Sequence, residues 1–156
     1  VRVGLFEASE IGFGGSGRNV GLVNAGMWIM PDMLTATLGF PFGERLIKLL
    51  DRGPQKVFEL IEKHGIECEV ERARTLHCAV GRKGLQESRC VPNSGRSAAL
   101  PSWCPMRSDG RRIGGGNYTG ALLDKRAGPI QPLAYVRGLA RVVNARMGNR
   151  PSCRRT

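Results

Sequence analysis

Apolar positions recur at three- and four-residue intervals between 43 and 64, where Leu46, Ile47, Leu49 and Leu50 are followed by Val57, Phe58, Leu60 and Ile61. That period predicts helix with one buried face. Gly53-Pro54 divides the stretch, and Pro54 suits the first turn of a second helix, because a proline there forfeits no intrahelical hydrogen bond. Gln55, Lys56, Glu59, Glu62 and Lys63 form its solvated face. Gly65 is its stop, leaving His64 at a C-terminal position that favours positive charge rather than in a catalytic role. Upstream, Pro31-Asp32 signals a helix start, and 34–42 is loosely helical with interruptions at Gly39 and Pro41. Downstream the period falls to two. Ile66-Glu67-Cys68-Glu69-Val70 alternates apolar and acidic residues and reads as a strand, and Thr75-Leu76-His77-Cys78-Ala79-Val80 reads as another, with His77 structural. Pro132 pre-sets a last helix whose apolar stripe is Leu133, Val136, Leu139, Ala140 and Val143.

Two regions obey neither period. One is Phe13-Gly14-Gly15-Ser16-Gly17-Arg18-Asn19-Val20-Gly21, with four glycines in nine residues. Glycine tolerates positive φ and lets a ligand approach the main chain, while Ser16, Arg18 and Asn19 add a hydroxyl, a forked cation and an amide. Together these suit an anionic or oxygen-rich ligand; the plainer alternative is a turn. Just before it, Val1-Arg2-Val3-Gly4-Leu5-Phe6 reads as a short apolar strand ending at Glu7. A buried parallel strand ending in an acid is the second strand of a dinucleotide-binding βαβ unit, whose carboxylate accepts hydrogen bonds from ribose hydroxyls. The second aperiodic region, 88–111, is rich in Pro, Ser, Arg and Cys and nearly free of carboxylates.

Residues 3–10 and the loop at 12–21 resemble the D-amino-acid oxidase/glycine oxidase superfamily of FAD-dependent oxidoreductases. Within it they are similar to the gamma-glutamylputrescine oxidoreductase branch, whose usual loop is G-A-S-G-R-N-G-G. This copy carries Gly15 for the alanine and Val20 for a glycine. The resemblance resumes at 115–124 and continues through Asp124, Gly128, Ile130, Pro132, Tyr135, Gly138, Leu139 and Ala140, in the pattern D-x-x-x-G-x-I-x-P-x-x-Y-x-x-G-L-A. It implies an α/β (α+β) fold: a partial FAD-binding Rossmann-like domain lacking its first strand and G-x-G-x-x-G turn, with part of a β-rich substrate layer. The expected organisation is a partial FAD-binding segment at 1–43 and helices and strands of the substrate-side layer at 44–87. An irregular interval follows at 88–112, then a return to the cofactor-side layer at 113–148 and a disordered tail at 149–156. With neither layer whole, exposed apolar faces are expected.

The cofactor implied is FAD. Carried over by position, Glu7 would meet the adenosine ribose, and Ser16, Gly17, Arg18, Asn19 and Gly21 would line the pyrophosphate or the isoalloxazine. No catalytic or substrate-binding residue maps. The implied chemistry is oxidation of an amine or amino-acid C–N bond by hydride transfer to the flavin, so the expected partner is a small-molecule amine or amino acid. The alternative of another class is a non-catalytic truncated remnant. For the interval 88–112, one explanation is translation out of frame, with the frame restored near Ile113; the other is a disordered linker. The coding nucleotides decide between them, since only the first lets a single-base shift recover a helical, acid-containing segment.

Charge adds a third reading and weakens it. The chain's net charge of +11 sits entirely in 88–156, which hold thirteen Lys and Arg against Asp109 and Asp124, whereas 1–87 are balanced at eleven each. A basic half can mark a nucleic-acid-binding protein. The arginines lack aromatic interleaving and match no zinc finger or helix-turn-helix, so no specific nucleic-acid partner is expected. Cys68, Cys78, Cys90, Cys104 and Cys153 are odd in number, show no C-x-x-C spacing, and with His64 and His77 make no zinc pattern. No signal peptide is visible and no apolar run is long enough to span a bilayer, so free thiols in a cytoplasmic setting are expected. The oligomeric state stays open.

Overall fold

The computed structural model describes residues 6–25, 31–81, 84, 102–105 and 118–146. The described elements run α1 (Gly15–Arg18), β1 (Leu22–Val23), α2 (Pro31–Leu38), α3 (Phe40–Asp51), α4 (Gly53–His64), β2 (Thr75–Val80), β3 (Ser102–Pro105), β4 (Tyr118–Asp124), β5 (Gly128–Pro129) and α5 (Pro132–Arg146). Helices and strands are mixed, in keeping with the α/β expectation. The strand expected at 1–6 lies outside the described residues apart from Phe6, as do most of 88–112 and the tail at 149–156. The chain divides into two units, the first built from 1–22, 57–71 and 129–156, the second from 23–56 and 72–128.

In the first unit α4 ends as its sequence dictates. Gly65 takes φ +57, its N–H donates to Glu62 O, and the Ile66 N–H donates to Ile61 O at 3.0 Å. This pair of bonds is the Schellman arrangement, which satisfies carbonyls that a helix end leaves unpaired. It also fixes where Ile66 goes. A Cβ at Gly138 of α5 would overlap Ile66 Cγ2, so the absence of a side chain at 138 lets Ile66 seat against that helix. Ile61, Ile66 and Cys68 are buried.

The sequence predicts a strand at 66–70, and the structure has none there. Glu69 stands at φ +50, and the backbone is satisfied one residue at a time: the Gln131 N–H donates to Cys68 O at 2.7 Å and the Glu71 N–H to Pro129 O at 3.0 Å. The alternation survives in burial over the first four residues, with Ile66 and Cys68 inside and Glu67 and Glu69 outside, and fails at Val70, which is exposed. A period of two therefore reported the faces of an extended segment that follows a loop rather than a sheet.

In the second unit α2 and α3 pack closely where Gly43 meets Thr35; a Cβ at 43 would lie 2.6 Å from Thr35 Cα. Gly39 at φ +75 turns the chain between them, and Pro41 falls in the first turn of α3, where it starts that helix instead of interrupting it. Met33, Phe40, Phe42 and Leu49 are all more than half exposed, so the expected apolar faces are present. The sheet of this unit has the order β2-β4-β3, both pairs antiparallel. Register runs from Thr75 opposite Asp124 to Val80 opposite Tyr118, with an irregularity between Ala79 and Val80. His77 stands mid-strand opposite Leu122. β3 falls inside the aperiodic interval and pairs Ser102 with Leu123 and Pro105 with Gly120. Ala79, Ala121 and Leu123 are buried.

The end of β4 is held by charge. Asp124, 2% exposed, accepts from the Arg126 backbone N–H at 3.0 Å and from its guanidinium at Oδ1 and Oδ2, both at 2.9 Å. Arg126 also pairs with Asp51 at the end of α3. Burial opposes the charge on Arg126, but Asp124 and Asp51 outweigh it and hold the guanidinium above its usual range. Among the described residues, no helix is long and apolar enough to cross a membrane.

Candidate functional site

The loop at 12–21 lies in the first unit, against the N-terminal half of α5. Its glycines fall into two sets. Gly12, Gly17 and Gly21 are needed for packing. A Cβ at Gly12 would lie 2.5 Å from Leu133 Cδ1 and 3.0 Å from Val136 Cγ1. One at Gly17 would overlap Gly12 O and sit 2.9 Å from Leu133 Cδ1. One at Gly21, which is buried at φ +72, would overlap Ile130 O. Gly14 and Gly15 are the reverse: among the described residues nothing lies within 4 Å of a Cβ built on either. The open ground beside the main chain is therefore at 14 and 15.

Asn19, itself exposed, fastens this loop by hydrogen bonds to its own backbone. Its Nδ2 donates to Gly15 O at 3.0 Å and to Ser16 O at 3.1 Å, closing the one-turn helix α1. Its Oδ1 accepts from the Gly21 N–H at 2.8 Å. The Gly21 carbonyl in turn accepts from the Ile130 N–H at 2.8 Å, tying the loop to the segment that enters α5. Gln131 caps that helix, its side-chain oxygen accepting the Ala134 N–H. The matched pattern at 124–140 thus has a physical content: Ile130, Pro132 and Gly138 are the positions at which α5 meets the loop and Ile66.

The remaining polar groups are exposed as well, without a hydrogen bond to the loop backbone among the described residues. Arg18 is exposed, with its guanidinium 4.4 Å from the centroid of the Phe13 ring, a cation–π contact. Ser16 is exposed on α1. Glu7 is exposed, and its Oε1 accepts the Ser9 N–H at 3.1 Å. Among the described residues no hydrogen bond or ion pair joins Glu7 to 14–19. Arg137 on α5 approaches Glu10 at 3.9 Å, an exposed pair of small energetic weight.

The structure therefore places the six sequence-derived residues in two roles. Ser16, Arg18 and Glu7 present exposed polar groups, whereas Gly17, Asn19 and Gly21 are occupied in shaping the loop. Sequence reasoning did not single out Gly14 and Gly15 as the open positions. The alanine usual at position 15 in the resembled branch was the available signal, since a side chain is accepted only where there is room. Val20, 83% exposed, explains why a β-branched residue is accepted where that branch has glycine.

The family described as FAD dependent oxidoreductase matches residues 1–149. Gamma-glutamylputrescine oxidoreductase of Escherichia coli (strain K12) is 31% identical over 150 residues, covering 92% of this chain and 34% of that protein. A probable oxidoreductase, OrdL, of Rhizobium meliloti (strain 1021) is 28% identical over 144 residues, covering 89% of this chain and 33% of that protein. No solved structure matches. The chain thus spans about a third of the length of these relatives. The match extends over nearly every residue and the family's enzymes are FAD-dependent: this chain belongs to the FAD dependent oxidoreductase family.

Proposed function

We propose that this chain is the part of an FAD-dependent amine or amino-acid oxidoreductase that receives the cofactor, with the loop at 12–21 as its binding element. The observation that carries the reading is the division of that loop. Its close-packed glycines, Gly12, Gly17 and Gly21, fix the backbone, while Gly14 and Gly15 leave room beside it and Arg18 offers an exposed cation. A pyrophosphate is a bidentate anion, which a guanidinium matches in shape and charge. Ser16 adds a hydroxyl beside it. Glu7 would accept from ribose hydroxyls, and Gly17, Asn19 and Gly21 would hold the loop in the shape these contacts need.

When bound, FAD supplies the acceptor for a hydride drawn from the carbon of a C–N bond. The amine or amino-acid substrate class rests on the likeness to gamma-glutamylputrescine oxidoreductase. The chain's own contribution is to bind and orient: a fixed loop costs little further ordering on binding. The test is the visible absorption of the purified chain before and after incubation with FAD and gel filtration. Retained flavin absorption supports the reading. A colourless protein that takes up no FAD would overturn it and favour a non-catalytic remnant.

A further inference from the structure

We infer that Asn19 is a positioning residue for the cofactor loop, acting through Gly21 rather than by touching the ligand; this rests on the cofactor reading above. Its three hydrogen bonds among the described residues are internal to the loop. Two bonds from Nδ2 close α1, and Oδ1 takes the Gly21 N–H. Both amide atoms therefore have partners before any ligand arrives, whereas the Arg18 guanidinium meets only the Phe13 ring among the described residues.

The geometry explains why an amide is needed. Gly21 stands at φ +72 and is held from both sides, its N–H by Asn19 and its carbonyl by the Ile130 N–H. Glycine reaches that φ without strain but leaves it as easily, so the bonds at its N–H and carbonyl are what hold the backbone there. Asn19 supplies one of the two fastenings and simultaneously sets the end of α1, so one side chain fixes both edges of the stretch that carries Ser16 and Arg18. An alanine would do neither. A serine can still accept the N–H two residues on, more weakly. Loss of Asn19 would let the loop sample other shapes and lower the population that can bind, which reduces affinity in proportion.

The experiment compares the unaltered chain with Asn19→Ala, Asn19→Ser and Arg18→Ala, by two readouts. Amide hydrogen exchange at Gly21 is measured without FAD, and FAD affinity is measured by flavin fluorescence at two salt concentrations. Asn19→Ala is expected to speed Gly21 exchange about tenfold and weaken FAD by a similar factor, with the salt dependence unchanged. Asn19→Ser is expected to recover part of both together. Arg18→Ala is expected to leave Gly21 exchange as it was while weakening FAD and flattening the salt dependence. If Asn19→Ala weakens FAD with Gly21 exchange unchanged, Asn19 touches the ligand and the inference is overturned. Faster exchange with unchanged affinity overturns it too, because the residue would then be structural only. An unaltered chain that binds no FAD overturns the cofactor reading, while exchange at Gly21 still decides whether Asn19 holds the loop.

Discussion

Arg18 in the first unit and Arg126 in the second carry the same guanidinium into opposite settings. Arg126 has a side chain 15% exposed and is enclosed by Asp124 and Asp51, so its charge is fully answered within the protein. Arg18 is exposed, meets an aromatic face, and has no acid partner among the described residues. The first arrangement stabilises a fold; the second leaves a cation available to an anion from outside. The glycines divide in the same way, with Gly12, Gly17, Gly21 and Gly138 needed for close packing and Gly14 and Gly15 open.

The contrast can be broken most sharply at Arg126. Arg126→Ala would leave Asp124 buried without its partner, at a cost of about 3–4 kcal/mol in unfolding free energy by denaturant titration. A loss near zero would mean Asp124 is satisfied elsewhere. Gly21→Ala comes next, at about 3 kcal/mol, because strain at positive φ adds to overlap with Ile130 O. Gly138→Ala should cost about 2 kcal/mol by displacing Ile66. Arg18→Ala should alter stability by less than about 0.5 kcal/mol.

A pH effect separates the units further. Burial, with Glu69 adding to it, raises the pKa of the Cys68 thiol, and burial with Cys68 nearby raises that of Tyr135. Each group therefore ionises sooner in the unfolded chain than in the folded one. Their contribution is complete below the ordinary thiol value of about 8.5 and is lost as pH climbs through the folded values. Thermal melts should fall at alkaline pH, and less steeply in Cys68→Ala. The smallest effect is a gain: Gly15→Ala, helical and unobstructed, should stabilise by about 0.5 kcal/mol.

Much of this was legible in the residues because local chemistry decided it. Gly53-Pro54 separated α3 from α4, Gly65 ended α4, and the limits of β2 followed the run from Thr75 to Val80. The segment 66–70 misled because alternation reports which side chains are buried and not what the backbone bonds to; Cys68 O accepts from Gln131, far on in the chain, and not from a neighbouring strand. β3 showed no period because its place in the sheet comes from pairing with β4. In the glycine loop, composition pointed to a binding element but could not tell packing glycines from open ones. That distinction depends on Leu133, Val136 and Ile130, distant in sequence.

The central claim is that the open side of the glycine loop, around Gly14, Gly15, Ser16 and Arg18, receives the cofactor. A nitrogen-15-edited NMR titration of the chain with FAD tests it residue by residue. The account predicts that amide shifts are largest at those four residues and small along β2 and β4. Saturable FAD binding that shifts amides elsewhere and leaves those four unmoved would contradict it.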